Sequence, residues 1–151
     1  MSNFTRLLGI DYGSVRIGLA VTDPERKFAF PLATYARRDR DKDAAYFRQT
    51  VEQEEIGALV VGLPVHLSGR EGQKAAEARA FGQWLGEVTG LPVVLWDERF
   101  TSVEAEGFLL EAGLTNKRRK ARRDRVAAQI LLQSYLDAGC PAETTPRSLD
   151  D

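Results

Sequence analysis

The sequence predicts one α/β domain built on a mixed sheet, in which an antiparallel three-strand meander is followed by parallel strands, with helices on both faces. Three strand-like runs come first, at 5–11, 15–22 and 28–35. Two further apolar runs, at 56–62 and 91–96, each follow a helical stretch, which is the order expected of parallel strands joined by helical crossovers. With 151 residues and 43% hydrophobic residues, the chain is long enough to bury one such core.

The first two runs are predicted to form a β-hairpin. Only Tyr12, Gly13 and Ser14 separate them, a length and composition typical of a tight turn. Pro31 interrupts the third run and has no N–H for a ladder hydrogen bond. The third strand is therefore expected at an edge of the sheet or at an irregularity.

The rest of the chain alternates helices with strands. A charged amphipathic stretch predicts a first helix at 39–55, and an alanine-rich stretch predicts a second at about 70–88. The apolar strands that follow them are expected to be buried on both faces, as parallel strands are. Thr101 and Glu104 form a capping box that starts a third helix, and a last helix is predicted at about 122–138.

The domain is predicted to span residues 1–138, with residues 139–151 as a flexible C-terminal tail. No apolar run approaches the roughly 18 residues of a membrane span, and the N-terminus has a strand pattern instead of a signal peptide. The single cysteine, Cys140, leaves no partner for a disulfide. We therefore expect a cytoplasmic protein with no membrane partner.

Charge is distributed unevenly along the chain. The net charge is −1, yet residues 117–125 alone carry seven bases and one acid. A concentrated basic segment on an acidic body is suited to holding nucleic acid, and a solvated loop with paired charges is the alternative. The nucleic-acid-binding residues predicted in this segment are Lys117, Arg118, Arg119, Lys120, Arg122, Arg123 and Arg125.

Acidic residues stand where two predicted strands end. Asp11 ends the first strand before Gly13, where its carboxylate can hold a cation or simply open the turn. Asp97 and Glu98 follow the last strand. Because strand side chains alternate between faces, only one of this pair can face the same cleft as Asp11. Glu98 is the first choice and Asp97 the second, unless both are ordinary polar residues at a strand end.

Asp124 is the one acid of the basic segment. Ala127, Ala128, Leu131 and Tyr135 share its helix face, so its side chain is expected to point inward. A place in the first turn of the last helix would also let Asp124 complement the helix N-terminus and do nothing more.

Together, Asp11, Glu98 and Asp124 form an oxygen-rich set suited to Mg²⁺ or Mn²⁺. Such ions activate water in phosphodiester hydrolysis without a side-chain nucleophile. The sequence therefore predicts a metal-dependent nuclease of the two-metal type, with these three residues as catalytic groups and metal ligands. A non-catalytic nucleic-acid-binding module is the alternative, whereas an actin-like ATPase would need a second domain for which this chain has no space.

Four segments carry a resemblance to a known family. The stretches "LGIDYGSVRIGLAVTD", "VVGLP", "VVLWDERFTSVEAE" and "DRVAAQILLQSYLD" together resemble the YqgF family, also called RuvX, over about residues 6–138. The element order likewise resembles the ribonuclease H-like fold. The family comprises Holliday junction resolvases and nucleases that process ribosomal RNA, so the resemblance implies branched DNA or the 5′ end of pre-16S rRNA as substrate.

The resemblance also extends to individual residues. It implies Asp11, the Asp97–Glu98 pair and Asp124 as the acidic positions, and it adds Arg16 to the nucleic-acid-binding residues. Four positions depart from the family pattern: Ser14 stands for the usual Thr, Val15 for a basic residue, and Arg122 and Arg123 for apolar residues. A homodimer, common among enzymes that cut symmetric junctions, is left open.

Overall fold

The computed structural model describes residues 3–64, 72–98 and 116–141. These contain five strands and three helices. The strands are β1 (Arg6–Asp11), β2 (Arg16–Thr22), β3 (Ala29–Ala36), β4 (Ile56–Leu63) and β5 (Val93–Asp97). The helices are α1 (Arg40–Gln53), α2 (Gln73–Thr89) and α3 (Asn116–Asp137).

The five strands form one mixed sheet in the order β3-β2-β1-β4-β5. The first three pair antiparallel, β4 runs parallel to β1, and β5 runs parallel to β4. The predicted meander followed by parallel strands is thus confirmed. β3 lies at an edge, and its register with β2 shifts at Pro31, as expected of a residue that cannot donate to the ladder.

The core lies on both faces of the sheet. On one face, Phe47 of α1 and Leu85 of α2 pack among inward-pointing strand residues such as Leu8. On the other face, Leu7 and the apolar side of α3, including Leu132, form a second buried cluster. Adjacent residues of β1 serve opposite faces because strand side chains alternate. The prediction of helices on both faces is confirmed.

Gly18 of β2 allows α3 to approach the sheet closely. A Cβ atom built at Gly18 would lie 1.9 Å from the carbonyl oxygen of Asp124, so no other residue fits there without displacing the helix. This close approach fixes the height of α3 above the sheet at the position of Asp124.

Helix α3 begins at Asn116, well before the predicted start at about 122. The basic segment is therefore helical, and the alternative that it forms a loop is wrong. Lys, Arg and Ala are strong helix formers, and the Thr34 hydroxyl of β3 donates a hydrogen bond to the carbonyl of Ala121 in this part of the helix. Asp124 is the ninth residue of α3, so a role at the helix N-terminus is also wrong.

Some predictions fall outside the described residues, namely the helix starting at Thr101 and most of the C-terminal tail (142–151). The division into a domain of residues 1–138 and a tail stays a prediction. Within the described ranges, no helix is both long enough and apolar enough to cross a membrane.

Candidate functional site

The parallel arrangement of β1, β4 and β5 brings two predicted site residues together. The carboxyl ends of these strands lie at one edge of the sheet, where Asp11 ends β1 and Glu98 directly follows β5. Gly62 of β4 leaves room for the Glu98 side chain, because a Cβ atom there would lie 2.5 Å from Glu98 Oε1. Residues far apart in sequence therefore meet across a glycine of β4, the strand between β1 and β5.

The carboxyl groups of Asp11 and Glu98 share a hydrogen bond, and both have raised pKa values. Burial raises the pKa of Glu98 to about 8, with further contributions from the charge of Asp11 and from the hydrogen bond, in which Glu98 donates. Burial also raises the pKa of Asp11 to about 6, and the charge of Asp124 adds to it, while the hydrogen bond from Glu98 acts in the opposite direction. Ionising both carboxyl groups at once is energetically unfavourable, and such pairs are common at functional sites.

Asp97 occupies a different place from Glu98. Asp97 is only 8% exposed and, by strand alternation, points to the sheet face opposite Trp96 and Glu98. Trp96 belongs to the cluster packed under α3, the face that also contains Asp124. The structure therefore joins Glu98, and not Asp97, to Asp11, while the charge of Asp97 contributes to the raised pKa of Glu98.

Asp124 lies near the Asp11–Glu98 pair but forms an ion pair with an arginine. Its Oδ2 accepts a hydrogen bond from Arg16 Nε at 2.7 Å, and the side chains are 22% and 38% exposed, respectively. Asp124 is close enough to Asp11 for its charge to raise the Asp11 pKa. Among the described residues, no three side chains form a ready-made metal site. The structure thus shows a carboxyl pair with a third acid beside it, held by Arg16.

One cavity of about 470 Å³ at the sheet edge is lined by Asp11, Arg16, Glu98 and Asp124. The cavity also contains Lys74 and Glu77 of α2, together with Ser14 of the β1–β2 turn. The ammonium group of Lys74 acts against the rise in the Glu98 pKa. Sequence reasoning missed Lys74 because it lies in no motif. The available signal was its position at the start of the helix that follows β4, since such helices begin near the carboxyl edge of the sheet.

The predicted nucleic-acid-binding residues lie in two places. Among those whose side chains the structure describes, Arg16 alone lines the cavity at the sheet edge. The others lie on the first turns of α3, where Arg118 and Lys120 are exposed and Arg119, Arg122, Arg123 and Arg125 are partly buried. The side chain of Lys117 lies outside the described part of the structure. The basic residues therefore lie on the same segment of α3 as Asp124.

The raised pKa values predict how metal-free stability depends on pH. Both acids have folded-state pKa values, about 6 and about 8, above their ordinary values of 3.8 and 4.5. The stability they contribute is therefore complete below about pH 4 and is lost as pH rises through the folded-state values. We expect the Tm in EDTA to fall over this range, and Glu98→Gln to make the fall shallower, with each kcal/mol worth about 2–4 °C. If the Tm of both proteins fell equally with pH, the Glu98 carboxyl would not contribute to the pH dependence of stability.

Comparison with known proteins identifies the family. The sequence profile of RuvX, described as Holliday junction resolvase, matches residues 5–138. The chain belongs to the RuvX family. This is a family of nucleases, so the predicted resemblance and enzyme class are confirmed at the level of the family. The roles of individual RuvX residues in this chain remain predictions.

Relatives of this RuvX chain carry the name "Putative pre-16S rRNA nuclease". One from Rhodopirellula baltica is 48% identical over 133 residues, which cover 88% of this chain and 77% of the relative. Another from Koribacter versatilis is 45% identical over 132 residues, with 87% and 86% covered. Among solved structures, Thermus thermophilus RuvC in complex with a Holliday junction substrate has a TM-score of 0.57 and 17% identity, with 93% of this chain and 99% of that chain covered. This likeness confirms the ribonuclease H-like fold.

Proposed function

We propose that this RuvX chain is a metal-dependent endonuclease whose reaction takes place at the Asp11–Glu98 pair, with Asp124 as the third acid. The observation that carries the proposal is the hydrogen-bonded carboxyl pair in a cavity at the carboxyl edge of the sheet. Oxygen donors of this kind are the ligands that Mg²⁺ and Mn²⁺ prefer. The raised pKa values also fit, because a divalent cation would offset the cost of ionising both acids.

Asp11 and Glu98 would hold the metal, and Asp124 would join them on exchanging its contact with Arg16. Bound Mg²⁺ or Mn²⁺ supplies an activated water and stabilises charge on the phosphate oxygens. The residues of the chain perform the remaining tasks. Lys74 and Arg16 face the cavity and would orient the phosphate through charge-assisted hydrogen bonds. Ser14 offers a hydroxyl at the same wall.

The substrate we propose first is pre-16S rRNA, because the relatives at 40–48% identity carry pre-16S rRNA nuclease activity in their name, and the family resemblance suggests a cut at its 5′ end. Branched DNA is the second candidate, since the family description is that of a Holliday junction resolvase. A cytoplasmic location accompanies the first proposal, because an enzyme of precursor rRNA works where that RNA is made. A homodimer stays a prediction.

A side-by-side cleavage assay tests the proposal. The substrates are a four-way DNA junction, a DNA flap, a single-stranded RNA and a pre-16S rRNA fragment, each with Mg²⁺ or Mn²⁺ and without nucleotide. We expect cleavage of at least one substrate by the parent protein, with none by the Asp11→Asn variant. Tight binding without cleavage on all four would favour the alternative of a non-catalytic binding module.

The basic segment at the start of α3 gives a separate prediction about nucleic-acid binding. Replacing Arg118, Arg119, Arg122 and Arg123 with Ala should weaken affinity for duplex DNA. It should also lower the salt slope, which is the steepness with which the logarithm of the binding constant falls with the logarithm of the salt concentration. The expected decrease is about 0.9 for each phosphate that the protein no longer neutralises. Binding titrations at several salt concentrations measure both quantities. Replacing Lys27, Lys42 and Arg48, exposed bases outside α3, is the control and should change the slope far less. Equal slopes for the two variants would remove α3 from the binding surface.

A further inference from the structure

A second cavity adjoins the carboxylate cavity and has a different chemistry. It has a volume of about 440 Å³ and lies between the end of β3, the start of α1 and one side of α2. Its walls combine three aromatic residues with three arginines, which together we call the aromatic–arginine pocket: Tyr12, Phe81, Trp84, Arg37, Arg38 and Arg40. Tyr12 and Glu77 line both cavities, so the two cavities are direct neighbours.

The aromatic rings form a continuous row along one wall. The ring centroids of Tyr12 and Phe81 are 5.0 Å apart, and those of Phe81 and Trp84 are 5.6 Å apart. Phe81 is buried and supports the row from within the core, whereas Trp84 is half-buried and presents part of its ring to the pocket. An indole supported in this way offers a surface on which a nucleobase can stack.

Two guanidinium groups lie over the aromatic rings. The Cζ of Arg37 lies 5.1 Å from the Phe81 centroid, and the Cζ of Arg40 lies 5.5 Å from that of Trp84. Both distances are within the range of cation–π contacts. Planar guanidinium groups are themselves stacking partners for bases, so a base entering beside Trp84 would meet flat surfaces and positive charge together.

The three arginines of the pocket differ in how firmly their side chains are held. Arg37 is held in place, because it hydrogen-bonds Asp43 at 3.4 Å and the Tyr12 hydroxyl at 3.2 Å. Arg38 and Arg40 are exposed, and neither forms a salt bridge with any described carboxylate. Two cations at the mouth of an aromatic pocket complement the phosphates on either side of a stacked base.

We propose that the aromatic–arginine pocket holds an unstacked nucleotide of the substrate strand, next to the phosphate that is cut. The base stacks on Trp84 in place of the Arg40 guanidinium, which then contacts a flanking phosphate, as Arg38 does. A nucleotide held in this way is unpaired, so the pocket selects strands that are single-stranded or locally opened beside the cleavage point. This inference rests on the proposed nuclease function for the position of the cut.

The test measures binding without cleavage, in EDTA and in the Asp11→Asn background. The probe is a single-stranded oligoribonucleotide from the pre-16S 5′ region that carries 2-aminopurine at one position at a time. Stacking on an indole quenches this base, so we expect quenching confined to positions that adjoin the cut. Trp84→Ala should abolish the quenching and weaken binding by about 5- to 150-fold, the usual cost of removing the partner of one stacked base. Trp84→Phe should retain most of the affinity.

Arg40→Gln tests the pocket without touching the core, with Arg48→Gln as the matched control on the same helix α1. Arg40→Gln should lower the salt slope for single strands by about 0.7, and Arg48→Gln should not. Equal quenching in the parent and Trp84→Ala, or equal slopes for the two arginine variants, would overturn the pocket assignment even if the protein cleaves. Trp84-dependent quenching in a protein that never cleaves would retain the pocket and remove the nuclease.

Discussion

Asp11→Asn is expected to lower the cleavage rate by about 10³-fold or more while the fold is retained. Asn is nearly the same shape as Asp, but its amide is a poorer metal ligand and removes one negative charge from the site. Glu98→Gln should have an effect of similar size, because the two carboxyl groups form one hydrogen-bonded unit. Single-turnover cleavage at saturating protein separates this loss of rate from any loss of affinity.

Asp97→Asn is the matched control for this prediction. Asp97 is the sequence neighbour of Glu98 and is buried at the end of β5, but strand alternation points it to the other face of the sheet. We expect its cleavage rate to stay within a few-fold of the parent rate, with a melting curve to verify folding. An inactive, folded Asp97→Asn beside an active Glu98→Gln would show that the wrong member of the pair was chosen.

Much of the fold follows from patterns that need only local information. The parallel strands were predictable because uninterrupted apolar runs are buried on both faces, and the edge position of β3 was predictable from Pro31. The start of α3 was not, because the charged residues after Asn116 show no apolar periodicity. Their helical state depends on intrinsic propensity and on a tertiary contact between Thr34 and Ala121.

The candidate site likewise has some residues that the sequence predicts and others that depend on tertiary packing. Asp11 and Glu98 were predictable as strand-end acids, since parallel strands present their carboxyl ends at one edge. The Arg16–Asp124 ion pair was not, because it requires α3 to lie over β2 at Gly18. The row from Tyr12 to Trp84 was also beyond sequence reasoning, since aromatic residues on α2 are indistinguishable from ordinary core residues until the packing of the helix is known.

Asp124→Asn is expected to lower cleavage by about 10²-fold or more and to leave stability almost unchanged. The partly exposed ion pair with Arg16 is worth at most about 1 kcal/mol, and Asp124 is too far along α3 to interact with the helix N-terminus. Metal-free binding of nucleic acid should stay the same or tighten, because the change removes a negative charge and releases Arg16 from its ion pair. Binding in EDTA and cleavage in Mg²⁺, measured on this one variant, separate the two effects. Retained cleavage near the parent rate would remove Asp124 from the site.

The ion pair predicts where any tightening comes from. In the metal-free protein, Asp124 Oδ2 neutralises Arg16 at 2.7 Å, so Asp124→Asn should free this guanidinium for a phosphate. Arg16→Gln alone should then change metal-free affinity little, because its charge is already occupied. In the double variant the tightening should disappear, and a double-mutant cycle measures the coupling. Tightening that survives in the double variant would instead assign the effect to general repulsion by Asp124, and Arg16 would no longer be a phosphate contact.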